Sequence, residues 1–330
     1  MELKKLIIGS VVVSPPLILA PMAGITNGPF RRVCRLGGAG SSSTEMISAK
    51  ALKHGDRRTR EMADFAREEH PVAAQIFGRD PEEMALAAAF LEDRGADIID
   101  INMGCPVKKV LKSGSGVQLM REPDRASAIV SRVVRSISVP VTVKIRLGWT
   151  DDESNYIRLG KILQDEGASA VTLHPRTRTQ GFSGRARWEC IGHLKESLTI
   201  PVLGSGDVVD AGGVKEMFRI TGCDAVMIGR GALGKPWIFR QISSDLEWTG
   251  ETVDTAWCRD LMAIHISLLL EAFPGRRSVG QLRKHLAWYT KGYPNGSSFR
   301  REVNRIDDPG EIVKMAEAFL GLEGKSLSIQ

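Results

Sequence analysis

Three segments of the chain repeat one design: GADIIDI from Gly95, GASAVTL from Gly167 and GCDAVMI from Gly222. In each, a glycine separates a helix-like stretch from an apolar run. That is the pattern expected where glycine ends a helix and the chain turns into a parallel strand buried on both faces. A second set, HPVAAQIFG, VPVTVKIR and IPVLGSGD, enters its apolar run through proline, which a strand tolerates at its start. Together with related runs nearer the N-terminus these give eight candidate strands, at 17–23, 41–47, 71–78, 98–104, 139–146, 170–176, 201–207 and 225–229. Between most of them lie amphipathic stretches such as PEEMALAAAFLEDRG and PDRASAIVSRVVRSI, each with proline in its first turn and acids near its start. Eight such units predict an α/β fold of the (β/α)8 barrel type. A doubly wound sheet is the alternative, because GRGALG at 229–234 matches a GxGxxG fingerprint after a strand. In a dinucleotide fold that fingerprint follows the first strand, whereas here it follows the last. Barrels build phosphate sites in the loops after strands 7 and 8, which explains the position better.

Past residue 245 the strand pattern stops. IHISLLLEAF, QLRKHLAWYTKG, SSFRREVNRI and DPGEIVKMAEAFLG read as four helices, the last opened by Asp308, Pro309 and Glu311 as a capping box. A barrel over 1–245 followed by a small helical domain over 246–330 is expected. The 330 residues, 42% hydrophobic and 25% charged, suit a soluble globular protein, and the formal charge of +6 suits a polyanionic partner. Five cysteines at wide, irregular spacing offer neither a disulfide framework nor a CxxC metal or redox pair, so a reducing cytoplasm and no structural metal are expected. Lys4 and Lys5 precede LIIGSVVV in a leader-like way, but Gly9-Ser10 and Pro15-Pro16 break the run well short of a membrane span, and a short hairpin is expected instead.

Barrel chemistry sits at the C-terminal ends of the strands, where polar residues interrupt each apolar run. Lys144 and Arg146 stand two apart on strand 5, with Val143 and Ile145 turned the other way toward the helices, so both cations are expected at the barrel mouth. His174 ends strand 6, with Arg176 and Arg178 just beyond, and is expected to join a converging cationic set. Gln75 on strand 3 is either a satisfied core amide or a ligand-facing donor. GSGD (204–207) and GRG (229–231) place glycines and Arg230 after strands 7 and 8, a combination suited to gripping a phosphate. A phosphate grip beside a cationic lysine and amide donors suits flavin mononucleotide, whose reduced ring is anionic. It also suits a sugar-phosphate lyase in which Lys144 forms a Schiff base. In DINMGCPVKK (100–109) a strand ends in Asn102, Gly104, Cys105 and Pro106, followed by Lys108 and Lys109. A cysteine on such a turn is accessible, and with an ordinary pKa near 8.5 it can donate a proton or, if acidified, attack as a nucleophile.

These residues resemble the tRNA-dihydrouridine synthase family, most closely its bacterial B-type. The resemblance runs through LAPMAGITNGPFR (19–31), AAQIFG (73–78), DINMGCPVKKV (100–110), VKIRLGW (143–149), TLHPRT (172–177), GSGD (204–207) and GRGALGKPW (229–237). It implies a barrel enzyme that binds FMN, takes reducing power from NADPH and reduces the C5–C6 double bond of uridine in the D-loop of tRNA. By motif position, Pro21, Met22 and Ala23 would line the flavin, and Gln75 and Lys144 would bond to its ring. Ser205, Gly206, Asp207, Gly229 and Arg230 would hold its phosphate end. His174 would face the flavin site and, with Asn102, the reacting base, and Cys105 would protonate C5. The family usually carries Asn-Gly-Asp where this chain has Ser205-Gly206-Asp207, which removes one side-chain amide donor from the flavin contacts.

Charge distribution bears on RNA separately. Between residues 276 and 305 stand Arg276, Arg277, Arg283, Lys284, Lys291, Arg300, Arg301 and Arg305 against Glu302, with Trp288 and Tyr289 interleaved. By itself this basic cluster suits a solvated helix face with an aromatic core contact equally well; beside a base-modifying site, an RNA-binding surface is the better reading. Arg283 and Lys284 are the expected RNA contacts of this helical segment. Lys108, Lys109, Arg146, Arg176 and Arg178 are the expected substrate contacts around the barrel mouth. The chain is expected to be monomeric.

Overall fold

The computed structural model describes residues 5–322. Lys4 and the stretch 323–330 of the expected helical domain lie outside those residues. Eight parallel strands close into a barrel: β1 (Leu17–Leu19), β2 (Ser41–Ser43), β3 (Val72–Phe77), β4 (Ile98–Met103), β5 (Val141–Ile145), β6 (Ala170–Leu173), β7 (Val202–Ser205) and β8 (Ala225–Ile228). Neighbours in sequence pair along the ring, β8 pairs with β1, and the β2–β3 ladder at Ser42–Val72 and Ser43–Ala73 completes the circle. The helices between them form the outer layer: α1 (Gly28–Leu36), α2 (Ala49–Lys53), α3 (Pro81–Asp93), α4 (Pro123–Val134), α5 (Tyr156–Asp165), α6 (Glu189–Ser197), α7 (Ala211–Thr221) and α8 (Ile238–Asp245). The glycines of the three repeated segments have positive φ, +93° at Gly95, +96° at Gly167 and +61° at Gly222, the left-handed turn out of each helix that only glycine adopts without cost.

Strand alternation splits the side chains into two sets. Val141, Val143 and Ile145, like Ile99, Ile101 and Met103, pack outward against the helices. The inward set is layered. Its lowest layer is apolar, with Ile18, Ala73, Ile98, Ala170, Leu203 and Ala225, and a hairpin of Leu6–Ile8 and Val11–Val13 plugs it from below. The layer above holds Gln75, Asp100, Thr142 and Thr172, all buried. Polarity therefore rises toward the C-terminal rim, and a barrel built this way is sealed at one end and reactive at the other.

The strand expected over 41–47 is interrupted. β2 ends at Ser43, and Ile47–Ser48 rejoins the sheet against the far end of β3. Between them Thr44 accepts a hydrogen bond from the Gln75 amide at 2.9 Å, and the Glu45 carboxylate accepts one from the Gly24 amide. Side chains thus replace the ladder over this turn.

Four further helices follow the barrel: α9 (Thr255–Ala272), α10 (Arg276–Tyr289), α11 (Gly296–Val303) and α12 (Pro309–Leu320). Asp308 caps α12 by accepting from the Glu311 amide at 2.8 Å. Their core includes Leu282, Leu286, Phe299 and Ile312, and Trp237 of the barrel packs against it. Among the described residues no helix is long and apolar enough to cross a membrane.

Candidate active site

A cavity of about 730 Å³ opens at the C-terminal ends of the barrel strands. It draws residues from nearly the whole ring. Pro21, Met22 and Ala23 come from the end of β1, Gln75 from β3, Asn102 from β4 and Lys144 from β5. Cys105 and Arg146 stand on the loops after β4 and β5, and His174 follows β6 directly. Ser205, Gly206 and Asp207 close β7, while Gly229 and Arg230 close β8. The turn after β7 is tight. Gly206 sits at φ +121°, and a Cβ there would come within 3.0 Å of Ala186 and 3.1 Å of the His174 ring.

Other expected site residues lie elsewhere. Lys108 and Lys109 are exposed on a single helical turn past the Cys105 loop. Arg178 stacks on Trp149, 4.7 Å from its ring centre. Arg176 is buried, and its guanidinium grips both oxygens of Asp207 at 2.9 and 2.6 Å as well as the carbonyls of Ser183 and Gly184. It holds a loop in place and does not line the cavity. Arg283 of α10 donates to the carbonyls of Val303 and Ile306 and to Asp307, and Lys284 donates to the Gly24 carbonyl of the loop after β1.

The rim is cationic, though not in the way expected. Burial and the surrounding cations Lys144, Arg146, Arg176 and Arg230 push His174 down to about 2, so it is a neutral imidazole that accepts from Arg176 at 3.2 Å. Lys144 falls to about 8, chiefly through burial and then Arg146, with Asp100 and Cys105 opposing. Arg146 falls to about 10 by burial and keeps its charge while donating to the carbonyls of Gly104, Thr177 and Gly181. Burial resists ionisation of Asp207, but the bonds from Arg176 and the Ala186 amide outweigh it and hold its carboxyl below the usual range. Asp207 also pairs with Arg230 at 3.2 Å, so its carboxylate anchors a cation at the cavity edge.

Cys105 is a free thiol, half-buried. Burial raises its pKa; the Val107 amide and the charges of Arg146 and Lys144 temper that rise without reversing it. At neutral pH it is a protonated thiol aimed into a cationic cavity. A thiol in that state can donate a proton and is a poor nucleophile. Its turn is held by Asn102, whose side-chain oxygen accepts from the amides of Gly104 at 3.2 Å and Cys105 at 2.9 Å.

Two residues absent from the expected set bear on the site, one at its mouth and one below it. Phe182, 60% exposed, projects over the mouth with the guanidinium groups of Arg146 and Arg230 at 5.4 and 5.2 Å from its ring centre. An aromatic in the polar loop TQGFSGRAR was the available signal. Asp100 sits beneath the cavity; a carboxylate in an apolar strand, two residues before Asn102 and on the same face, marked it.

Residues 18–322 match the family model for dihydrouridine synthase. The chain is 42% identical over 305 residues to tRNA-dihydrouridine synthase B of Xanthomonas campestris pv. campestris, covering 92% of each. It is 40% identical over 317 residues to the enzyme of the same name from Pasteurella multocida, covering 96% of each. The chain belongs to the dihydrouridine synthase family. As a family member it is an enzyme. Among solved structures, histamine dehydrogenase from Rhizobium sp. 4-9 superposes with a TM-score of 0.60 at 12% identity, covering 98% of this chain and 64% of that one. Morphinone reductase does so with 0.52 at 13%, covering 78% and 93%. At such identities the likeness speaks to the barrel alone. The dihydrouridine synthase motifs and the cavity coincide: every one of the seven motifs contributes at least one lining residue, the segments 73–78 and 172–177 through Gln75 and His174 alone.

Proposed function

We propose that this dihydrouridine synthase reduces the C5–C6 double bond of uridine in the D-loop of tRNA, using bound FMN and NADPH as reductant. The observation that carries the reading is one cavity that places a protonated thiol, Cys105, with the cations Lys144 and Arg146. The chain's residues fit the flavin. The volume lies within the range of cofactor sites, the strained turn at Gly206 would press a side chain tightly against Ala186 and His174, and Arg230 stands at the adjoining loop for a phosphate. Ser205 supplies a hydroxyl where the family's amide is missing.

The flavin, when reduced, would supply a hydride to C6 of the uracil. Negative charge then builds toward C5 and the C4 carbonyl, and the chain's task is to neutralise it. The Sγ–H of Cys105 gives its proton to C5, which leaves a thiolate beside Lys144 and Arg146, the two charges that already favour it. Neutral His174 and the amides of Asn102 and Gln75 orient ring and base. A stacked uracil cannot reach the barrel interior, so the target must be captured flipped outward from the RNA. Exposed Lys108 and Lys109 beside the mouth, and exposed Arg276, Arg277, Arg301 and Arg305 of the helical region, would meet the backbone. The enzyme is proposed to act as a cytoplasmic monomer.

Purified protein is expected to be yellow, to bleach with NADPH and to recover colour on adding tRNA that lacks dihydrouridine. Mapping dihydrouridine in tRNA from cells without the chain identifies the position. A colourless protein that borohydride inactivates at Lys144 in the presence of a sugar phosphate would overturn the reading in favour of a lyase.

A further inference from the structure

Asp100 has no part in lining the cavity, yet it is a carboxylate 2% exposed near the centre of the barrel. The Thr142 hydroxyl donates to its Oδ1 at 2.7 Å and the Gln75 Nε2 to its Oδ2 at 2.6 Å. Gln75 Oε1 accepts from Asn102 Nδ2 at 2.8 Å, and Asn102 Oδ1 accepts from the backbone amides of Gly104 and Cys105. This relay is one-way at both ends. An ionised carboxylate only accepts and a backbone N–H only donates, so the two amides between them have one orientation that satisfies every partner. Turning Gln75 over would set oxygen against carboxylate and nitrogen against nitrogen, which forfeits both buried hydrogen bonds at once.

One layer lower, the same inward face is filled by Ile98, Ala170 and Leu203. Apolar residues are thus accommodated inside this barrel, and a buried carboxylate costs stability that they do not. The charge occurs at the level where the relay begins. We propose that Asp100 is a positioning residue that sets the polarity of the Gln75–Asn102 pair and so holds the turn presenting the Cys105 thiol. Its catalytic purpose rests on the reading of Cys105 as the proton donor. Although burial raises its pKa to about 6, Asp100 is mostly ionised, and so an acceptor, at neutral pH.

The test reverses the relay. Asn102→Asp puts a second obligate acceptor on Gln75, which can serve only one. The Cys105 turn should loosen, and iodoacetamide should alkylate Cys105 about tenfold faster relative to half-buried Cys190, the effect of about one lost buried hydrogen bond. Combining Asn102→Asp with Asp100→Asn turns the chain of donors around. The new amide accepts from Thr142 and donates to Gln75, which in turn donates to the new carboxylate, and that group still accepts from Gly104 and Cys105. The double variant should return alkylation to within about twofold of the parent, because coupled sites fail additivity in this way. A double variant no better than the single one, or a single variant indistinguishable from the parent, would overturn the proposal. Should Asn102→Asp fail to fold, recovery of a folded chain with a slow Cys105 in the double variant supports the relay, and failure of both overturns it. Alkylation involves no turnover, so a protein that proves not to reduce uridine would refute the role of Cys105 while leaving the relay intact.

Discussion

Cys105 serves as an acid only while it keeps its proton, and the forces on it are opposed. Burial raises its pKa, whereas Arg146 and Lys144 lower it and stabilise the thiolate left behind. Cys105→Ala should therefore bind FMN and tRNA and bleach with NADPH as the parent does, while single-turnover reduction of uridine falls at least about hundredfold, the usual worth of a general acid. Parent-like turnover would remove the assignment. Asp100 gives a second residue-scale prediction. Its pKa is 3.8 in the unfolded chain and about 6 in the fold, so between those values the folded state holds a proton that the unfolded state has released. Asp100 thus favours folding at low pH, and that contribution is lost as pH rises through about 6. Relative to the parent, Asp100→Asn should gain about 2 kcal/mol of unfolding free energy on going from pH 4 to pH 7, measured by urea titration at both. A difference independent of pH would mean that the carboxylate is not strained by burial. Nothing in the order of residues reveals such partnerships. Gln75 meets Asp100 because β3 and β4 pair in register at those two positions, and that register is a property of the closed ring.

At the level of elements, the strands and helices were legible because apolar runs, glycine exits and proline entries recur with one period. The interruption of β2 was not, since SSSTEMIS carries no alternation to break and the cause lies in Gln75 and Gly24, which are remote in sequence. Arg176 shows the same limit. As a basic residue after a strand it reads as a ligand contact, but Asp207, on a different loop, claims its guanidinium. Together they latch the loop after β6 to the end of β7: Arg176 holds the carbonyls of Ser183 and Gly184, and Asp207 accepts from the Ala186 amide at 2.8 Å. Phe182 rides on that loop. Arg176→Met leaves the Asp207 charge with Arg230 as its remaining cation and should cost about 2 kcal/mol, less than a fully buried pair because Arg230 and solvent compensate. Hydrogen exchange across 177–187 should quicken while the barrel strands stay protected. Uniform loss of protection would show a fold defect and refute the latch.

Across the whole molecule the helical region does more than carry positive charge. Phe30 of α1 packs against the rings of both His265 and His285 at 5.6 and 5.3 Å, the two histidines meet edge-on at 4.4 Å, His265 shares a 2.8 Å hydrogen bond with Tyr289, and all four side chains are buried. Beside this seam Lys284 of α10 donates to the Gly24 carbonyl, Asn27 donates to Gln281 at 3.3 Å, and Glu45 accepts from the Gly24 amide. The loop after β1, which supplies Met22 and Ala23 to the cavity, is thus clasped from both sides. Counting charges along the sequence selected Arg283 and Lys284 as RNA contacts, yet a helix has two faces, and these two lie half-buried toward α11 and the barrel. Arg276, Arg277, Lys291, Arg301 and Arg305 are the exposed members of that cluster. The two sets should separate by experiment. Arg301→Ala with Arg305→Ala should weaken tRNA binding and flatten its logarithmic salt dependence by roughly 1 to 2, with flavin content and NADPH bleaching unchanged. Lys284→Ala frees one side of the clasp and should lower flavin retention on dialysis while the salt slope for tRNA stays at the parent value. If Lys284→Ala instead kept its flavin and lost tRNA affinity with a reduced slope, α10 would be an RNA-binding element alone, and its hold on the loop after β1 would have no bearing on the cavity.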